Sequence, residues 1–259
     1  MEPEGLYTAN QWIVAACMLL VILAGSEVGR WLGGRVLARK PGTQGARIEA
    51  FENALLGLLS LMIGFTFSLA LNRFEQRKAV VLSDANAIGT VALRARLLPE
   101  PHAAQAARLV REYTDARLAL GAAPYASPER KRAIDTSLRL QDSLWREAVA
   151  ATALDARSVP IGLFTDATNH LIDMHETRVT ADRNHVPEAA LLLLYGIATV
   201  AMGFAGYTSA LAGTRNRVPV TIMALTIVTV ITLVMDLDRP RRGFVTVSQQ
   251  PMVDLRAGL

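Results

Sequence analysis

Apolar runs long enough to cross a bilayer recur four times along the chain, near residues 12–31, 54–71, 189–212 and 218–235. About 20 residues suffice, because a helix rises 1.5 Å per residue and the hydrocarbon core is about 30 Å thick. One large hydrophilic block separates the second run from the third. The second run, Ala54 to Leu71, carries no charge and passes into Asn72-Arg73-Phe74-Glu75-Gln76-Arg77-Lys78 with no Gly or Pro at the junction. A charged helical pattern then continues to Leu98, just before Pro99. The pattern predicts an all-α membrane protein: four transmembrane helices, a large helical-bundle domain inserted between the second and third, and a second helix continuous with the bundle. The expected division is 1–72 for transmembrane helices 1 and 2 with a basic connector, 73–187 for the bundle, 188–237 for transmembrane helices 3 and 4, and 238–259 for a tail docking on the bundle.

Prolines punctuate the hydrophilic block. Pro99 and Pro101 end the extension of the second span. Ala103–Leu120 reads as a helix with Leu109, Tyr113 and Leu120 on one stripe. The run Gly121-Ala122-Ala123-Pro124-Tyr125-Ala126-Ser127-Pro128 is a loop, with Ser127 as N-cap, Pro128 in the first turn and acidic Glu129 behind it. The following helix is expected to bury Ile134, Leu138, Trp145 and Val149 and to end by Ser158–Pro160. A last helix, Ile161 to about Asn184, places Phe164, Leu171, His175 and Val179 on one side. Sustained alternation and Asn-Gly hairpin signals are missing, so the block reads as an antiparallel bundle of about four helices.

The spans carry their own signals. Trp12 and Trp31 bracket the first as interfacial anchors. Glu27 and Arg30 can pair near its second end. Gly25, Gly29 and Gly33 recur every four residues, a spacing that suits close helix approach and equally a Gly-rich helix end. Thr226, Thr229 and Thr232 in the fourth span can bond back to helix carbonyls or across to a neighbour. Met1-Glu2-Pro3-Glu4 lacks a basic n-region, so the first span is expected to be retained.

Charge adds orientation. Net charge is +4, with 19% charged residues against the roughly 25% of soluble domains. The block from Arg73 to Glu188 is nearly balanced, so no nucleic-acid surface is expected. Arg30, Arg35, Arg39, Lys40 and Arg47 crowd the first connector, while the segment before the first span has no Lys or Arg. The positive-inside rule makes that connector cytoplasmic, the N-terminus and the 73–187 domain periplasmic, and the Arg215/Arg217 connector cytoplasmic. Arg239, Arg241 and Arg242 follow the last span on the side this scheme calls external, and speak against it. A single cysteine, Cys17, excludes an intrachain disulfide.

Candidate chemistry is sparse. No phosphate-cradling glycine loop, Gly-x-Ser-x-Gly or His-Glu-x-x-His occurs, so neither enzymatic activity nor a cofactor is expected. Asp166, His170 and Asp173 share a helix face, with His175 and Glu176 near; residues of this kind hold divalent ions, but equally decorate a solvated face, and no metal is assigned. His175 lies on the apolar stripe and reads as a core histidine. The second span is more suggestive. Leu61, Phe65 and Leu69 repeat at i, i+4 and i+8, and several copies around an axis would stack them into a hydrophobic constriction of the kind that gates by dewetting. The same stripe could instead pack on the first or fourth span. No ionisable residue lies mid-span, which argues against a proton-coupled transporter.

Several motifs resemble a bacterial family of unknown function described as bestrophin-like. They are Gly64-Phe65-Thr66-Phe67-Ser68-Leu69, Arg73-Phe74-Glu75-Gln76-Arg77, Asp84-Ala85-Asn86-Ala87-Ile88-Gly89-Thr90, Leu97-Leu98-Pro99-Glu100 and Leu109-Val110-Arg111-Glu112-Tyr113. In the tail, Asp236-Leu237-Asp238-Arg239-Pro240-Arg241-Arg242-Gly243 and Val247-Ser248-Gln249-Gln250-Pro251 complete the set. Asp84 departs from the glutamate of the family's acidic-Ala-Asn motif. The resemblance implies the layout of bestrophins, which are oligomeric anion channels with four spans, a helical domain between the second and third, and a neck from the second span. By spacing, Leu61, Phe65 and Leu69 match that neck, although its aromatic succession and an acidic calcium cluster are missing here. Bestrophin termini face the cytoplasm, opposite to the charge-based orientation.

The expected function is therefore an oligomeric bestrophin-like protein of the bacterial inner (plasma) membrane that forms or gates a passive ion pathway, with small anions as the expected permeant species. Leu61, Phe65 and Leu69 form its constriction, and Arg73, Arg77 and Lys78 its basic mouth. The expected partners are the lipid bilayer and further copies of the chain. A rival reading is a non-conducting, membrane-anchored interaction or sensor protein with an envelope-facing helical domain. Asp84 and Asn86 are further expected to meet Asp238 and Arg239 as the tail docks, with Arg239 paired to Asp84 or Glu75.

Overall fold

Long runs without proline and prolines confined to helix boundaries give helices joined by short connections. The computed structural model describes residues 10–39, 45–124, 127–214, 216–239 and 244–259. Met1–Glu4, Lys40, Tyr125, Ala126, Arg215 and Pro240–Gly243, used in the sequence reading, lie outside the described residues, as does the side chain of Arg47. Among the described residues the ordered elements are all helical: α1 Gln11–Arg39, α2 Gly45–Ala95, α3 His102–Ala122, α4 Pro128–Leu154, α5 Val159–Arg183, α6 Glu188–Leu211, α7 Val218–Asp238 and α8 Gln250–Gly258. Four stretches are long and apolar enough to cross a membrane, within α1, α2, α6 and α7. The chain divides into two units, Met1–Asn72 with His185–Arg239, and Arg73–Asn184 with Pro240–Leu259.

Helix α2 is 51 residues long, or about 76 Å at 1.5 Å per residue. It starts nine residues before the expected Ala54 and ends at Ala95, where Leu97 N and Leu98 N bond to the carbonyls of Arg94 and Ala95 in a tighter turn before Pro99.

In the membrane unit, α1 and α6 pack backbone to backbone. A Cβ on Gly29 would overlap the carbonyl of Gly203, and one on Gly206 would overlap that of Ser26. Gly25 and Gly33 face Thr199 and Tyr207 in the same seam. The four-residue glycine spacing is thus a helix–helix contact, as small residues allow where lipid tails give no hydrophobic drive. Glu27 bonds Arg217 at 3.0 Å and sits 3.9 Å from Arg30, whose guanidinium donates to the Thr214 carbonyl. Near its start, α2 meets α6 through Phe51 and Phe204, edge to face at 5.1 Å, and through the Thr208 hydroxyl, which donates to Glu52 at 2.6 Å. Thr226, Thr229 and Thr232 each donate to the carbonyl four residues back, so of the two uses open to them they take the intrahelical one. Trp12 and Trp31 are exposed, as interfacial anchors need.

In the bundle unit, Ile88 and Val91 of α2, Leu109 and Tyr113 of α3, Leu144 and Ala148 of α4, and Phe164 and Leu171 of α5 form one core. Ser127 caps α4, accepting from Arg130 N at 3.1 Å. The expected inner face of α4 is wrong by about one residue. Leu138, Trp145 and Val149 are 45%, 40% and 56% exposed, and Ile134 is half-buried. The buried positions are Arg130, Ala133, Ser137, Gln141, Leu144, Ala148 and Ala151. Small side chains let α4 approach its neighbours closely and turn the bulky residues outward, because close packing rewards fit over size.

The tail closes this unit. Met252 of α8 is fully buried in the core, Leu255 covers Gly89, and Arg256 bonds Asp115 through two nitrogens.

Candidate functional site

Within the membrane unit, α2 is two-faced. Leu59, Thr66 and Ala70 are buried, whereas Leu61, Phe65 and Leu69 are 55%, 62% and 50% exposed. At 3.6 residues per turn the centres of the two sets lie about 120° apart around the helix. The candidate constriction therefore does not pack on the first or fourth span of its own chain; it looks away from it. Gly57 and Gly64 meet nothing within 4 Å.

The three expected mouth cations diverge. Lys78 is exposed and 3.6 Å from Glu75, and Arg73 is half-buried. Arg77 is buried, and its Nη1 lies 3.5 Å from the Asn184 carbonyl. A buried guanidinium cannot attract ions from solution as an exposed one does, so the accessible charge of this cluster is Arg73 and Lys78.

Asp84 is the centre of the most polar part of the bundle. Its Oδ2 accepts from Arg117 Nε at 3.0 Å, Arg117 Nη2 at 2.8 Å and Arg178 Nη1 at 2.6 Å. All three side chains are almost completely buried. The cations on the carboxylate expected to take Arg239 are thus Arg117 and Arg178, and Glu75 is matched by Lys78. The tail contributes a neutral group instead: Gln249 accepts from Arg178 Nη2 through Oε1, which lies over Gly121 where a Cβ would sit 2.8 Å away. His175 is also part of this cluster, its Nδ1 2.8 Å from Arg117 Nη1. Because the guanidinium is the donor, Nδ1 accepts and the imidazole is neutral. Burial, with Arg117 and Arg178 beside it, lowers its pKa to about 4. A second pair, Arg130 with Asp182 at 2.8 Å, packs in the same unit. Asn86 is exposed on α2. In the membrane unit, Asp238 and Arg239 are buried, and Asp238 accepts from the backbone of Val186 at 2.6 Å.

Sequence reasoning missed Arg117 and Arg178. The signal was present: Arg117 follows Leu109 and Tyr113 at four-residue steps, and Arg178 follows Leu171 and His175 at seven and three. A charge on an apolar stripe asks for a buried partner.

Asp166, His170 and Asp173 are exposed, and Asp166 is bonded by Arg94 at 3.0 Å. Among the described residues no His, Cys, Asp and Glu cluster suits a metal ion.

A bestrophin-like domain model matches residues 20–252. The chain belongs to the bestrophin-like family. Among solved structures, a crystal structure of a bacterial bestrophin homologue from Klebsiella pneumoniae is 15% identical, with a TM-score of 0.63 over 93% of this chain and 98% of that one. A single-substitution variant of that homologue is 14% identical, with a TM-score of 0.64 over 96% of this chain and 99% of that one. At this identity the likeness is one of fold. No curated protein matches the chain.

Proposed function

We propose that copies of this bestrophin-like chain assemble around an axis in the bacterial inner membrane and form or gate a passive ion pathway along α2. The observation that carries the reading is the exposure of Leu61, Phe65 and Leu69 on a side of α2 turned away from its buried face. Rings of such side chains make a water-excluding constriction that opens by widening or by wetting. Arg73 and Lys78 follow on the same helix and favour anions electrostatically, with Glu75 offsetting part of that field. The absence of mid-span ionisable residues supports passive conduction over proton-coupled transport.

Purified protein in liposomes tests this. Chloride flux in the wild type that rises or loses gating in Phe65→Ala supports the reading. Absent flux together with a monomer in lipid refutes it and favours a non-conducting membrane-anchored interaction protein. The charge of the first connector favours a periplasmic bundle; an inactive alkaline-phosphatase fusion at Ala123 refutes that orientation.

A further inference from the structure

We infer that the bundle unit carries two unlike halves of an interface between copies of this chain, the outer stripe of α4 on one copy and the groove between α2 and α8 on the next. The inference rests on the assembly proposed above and names the surfaces that close it.

The α4 stripe is an exposed ridge of Leu138, Trp145 and Val149, with Ile134 at its near end. At four-, seven- and eleven-residue steps these residues form the pattern by which a helix seats in an apolar groove. The groove has a volume of about 580 Å³ and lies between Leu82 and Leu93 of α2, with Arg96 just past its end, and Asp254 and Leu255 of α8. Ala85, Gly89 and Ala92 also line it: Leu255 covers one side of Gly89, and the two alanines, nearly buried, keep this face of α2 low.

Heights along the bundle decide the occupant. Arg117 bonds Asp84, and Tyr113, four residues earlier on the antiparallel α3, stands about 6 Å farther along, near residue 88 of α2. Gln141 donates to the Tyr113 hydroxyl at 3.1 Å, which sets Gln141 of α4 at that same level. Counting along α4, which runs parallel to α2, Leu138 stands level with Ala85 and Trp145 level with Ala92. Leu255 touches the Gly89 position, so Asp254 stands level with residue 88 and close to the height of exposed Arg139. Rotation about an axis parallel to α2 preserves height. A second copy brought round such an axis therefore sets Leu138 and Trp145 opposite Ala85 and Ala92, and Arg139 opposite Asp254. Bulk meets a low face and cation meets anion at matching levels. A contact between unlike faces is heterologous, and when its rotation closes it generates a ring, which is what a pathway along α2 requires.

Disulfide trapping in a Cys17→Ser background, in lipid nanodiscs, tests the pairing. With Trp145→Cys and Leu93→Cys in one chain, mild oxidation should give a ladder of covalent multimers, and neither single-cysteine chain should. Native mass spectrometry of the same sample reports assembly independently, and Trp145→Glu, an exposed change that spares the core, should raise the fraction of dissociated chains at least tenfold. An assembled protein with no ladder overturns the inference and leaves the assembly standing. Dimers from Trp145→Cys alone overturn it in favour of an α4–α4 contact. A monomer throughout overturns the assembly itself.

Discussion

Removing the Asp84 carboxylate should be the most damaging single change in the bundle. Asp84→Ala deletes three charge-assisted hydrogen bonds, two from Arg117 and one from Arg178. It leaves two guanidiniums buried without their shared counter-charge. Breaking a buried ion pair by removing one partner costs about 3–5 kcal/mol, because the surviving charge stays desolvated. Here one carboxylate serves two cations, so the upper end, about 5 kcal/mol, applies. At about 2–4 °C per kcal/mol for a domain of this size, thermal unfolding in detergent should fall by about 10–20 °C. Arg178→Met should cost less, because it removes a cation as well as a bond and leaves Asp84 neutralised by Arg117. In the double variant the cost should be smaller than the sum by about 2–3 kcal/mol, the sign of direct coupling. Asp84→Glu keeps the charge and should retain most of the stability. Scanning fluorimetry or hydrogen exchange of α2, α3 and α5 reads the series. A loss below about 1 kcal/mol for Asp84→Ala, or additivity with Arg178→Met within about 0.5 kcal/mol, would refute the reasoning.

Three further outcomes follow from other parts of the molecule. Gly29→Leu should abolish folded protein on detergent size-exclusion chromatography, because a side chain there collides with the Gly203 backbone, whereas Gly64→Ala, with open space around it, should leave the profile unchanged. His175 has a folded pKa of about 4 against an ordinary value near 6.5. The unfolded chain therefore binds the extra proton first, so its contribution is fully present above about pH 6.5 and is lost as pH falls toward 4, up to about 3 kcal/mol; His175→Gln should flatten the dependence of the unfolding temperature over that interval, and an unchanged slope would contradict the assignment. Ser127→Ala removes the α4 cap and should cost about 1 kcal/mol in thermal unfolding, with Ser127→Asp restoring it.

The sequence made some of this legible and hid the rest for physical reasons. The continuity of α2 was readable because Asn72 to Lys78 offers the helix no proline or glycine, and Asn72 alone does not stop it. The four spans were readable because hydrocarbon tolerates so few charges. The inner face of α4 was not, because bulk does not mark burial there: Ala133, Ser137, Ala148 and Ala151 let helices close in and leave Trp145 outside. The Asp84 cluster drew attention for its acid, but its partners come from α3 and α5, 33 and 94 residues away. Spacing along one helix carries no record of such distant pairings. The spacing of Leu61, Phe65 and Leu69 does not say whether the stripe packs within its own chain; its exposure shows that it does not.

The central claim is that ions pass beside Phe65. Substituted-cysteine accessibility tests it most directly: Phe65→Cys in the Cys17→Ser background, reconstituted in planar bilayers and exposed to a charged, water-soluble thiol reagent. The expected result is a measurable conductance that the reagent blocks at Phe65→Cys and spares when the cysteine is placed at buried Leu59. Conductance indifferent to modification at Phe65→Cys, or no conductance in any of these proteins, would contradict it.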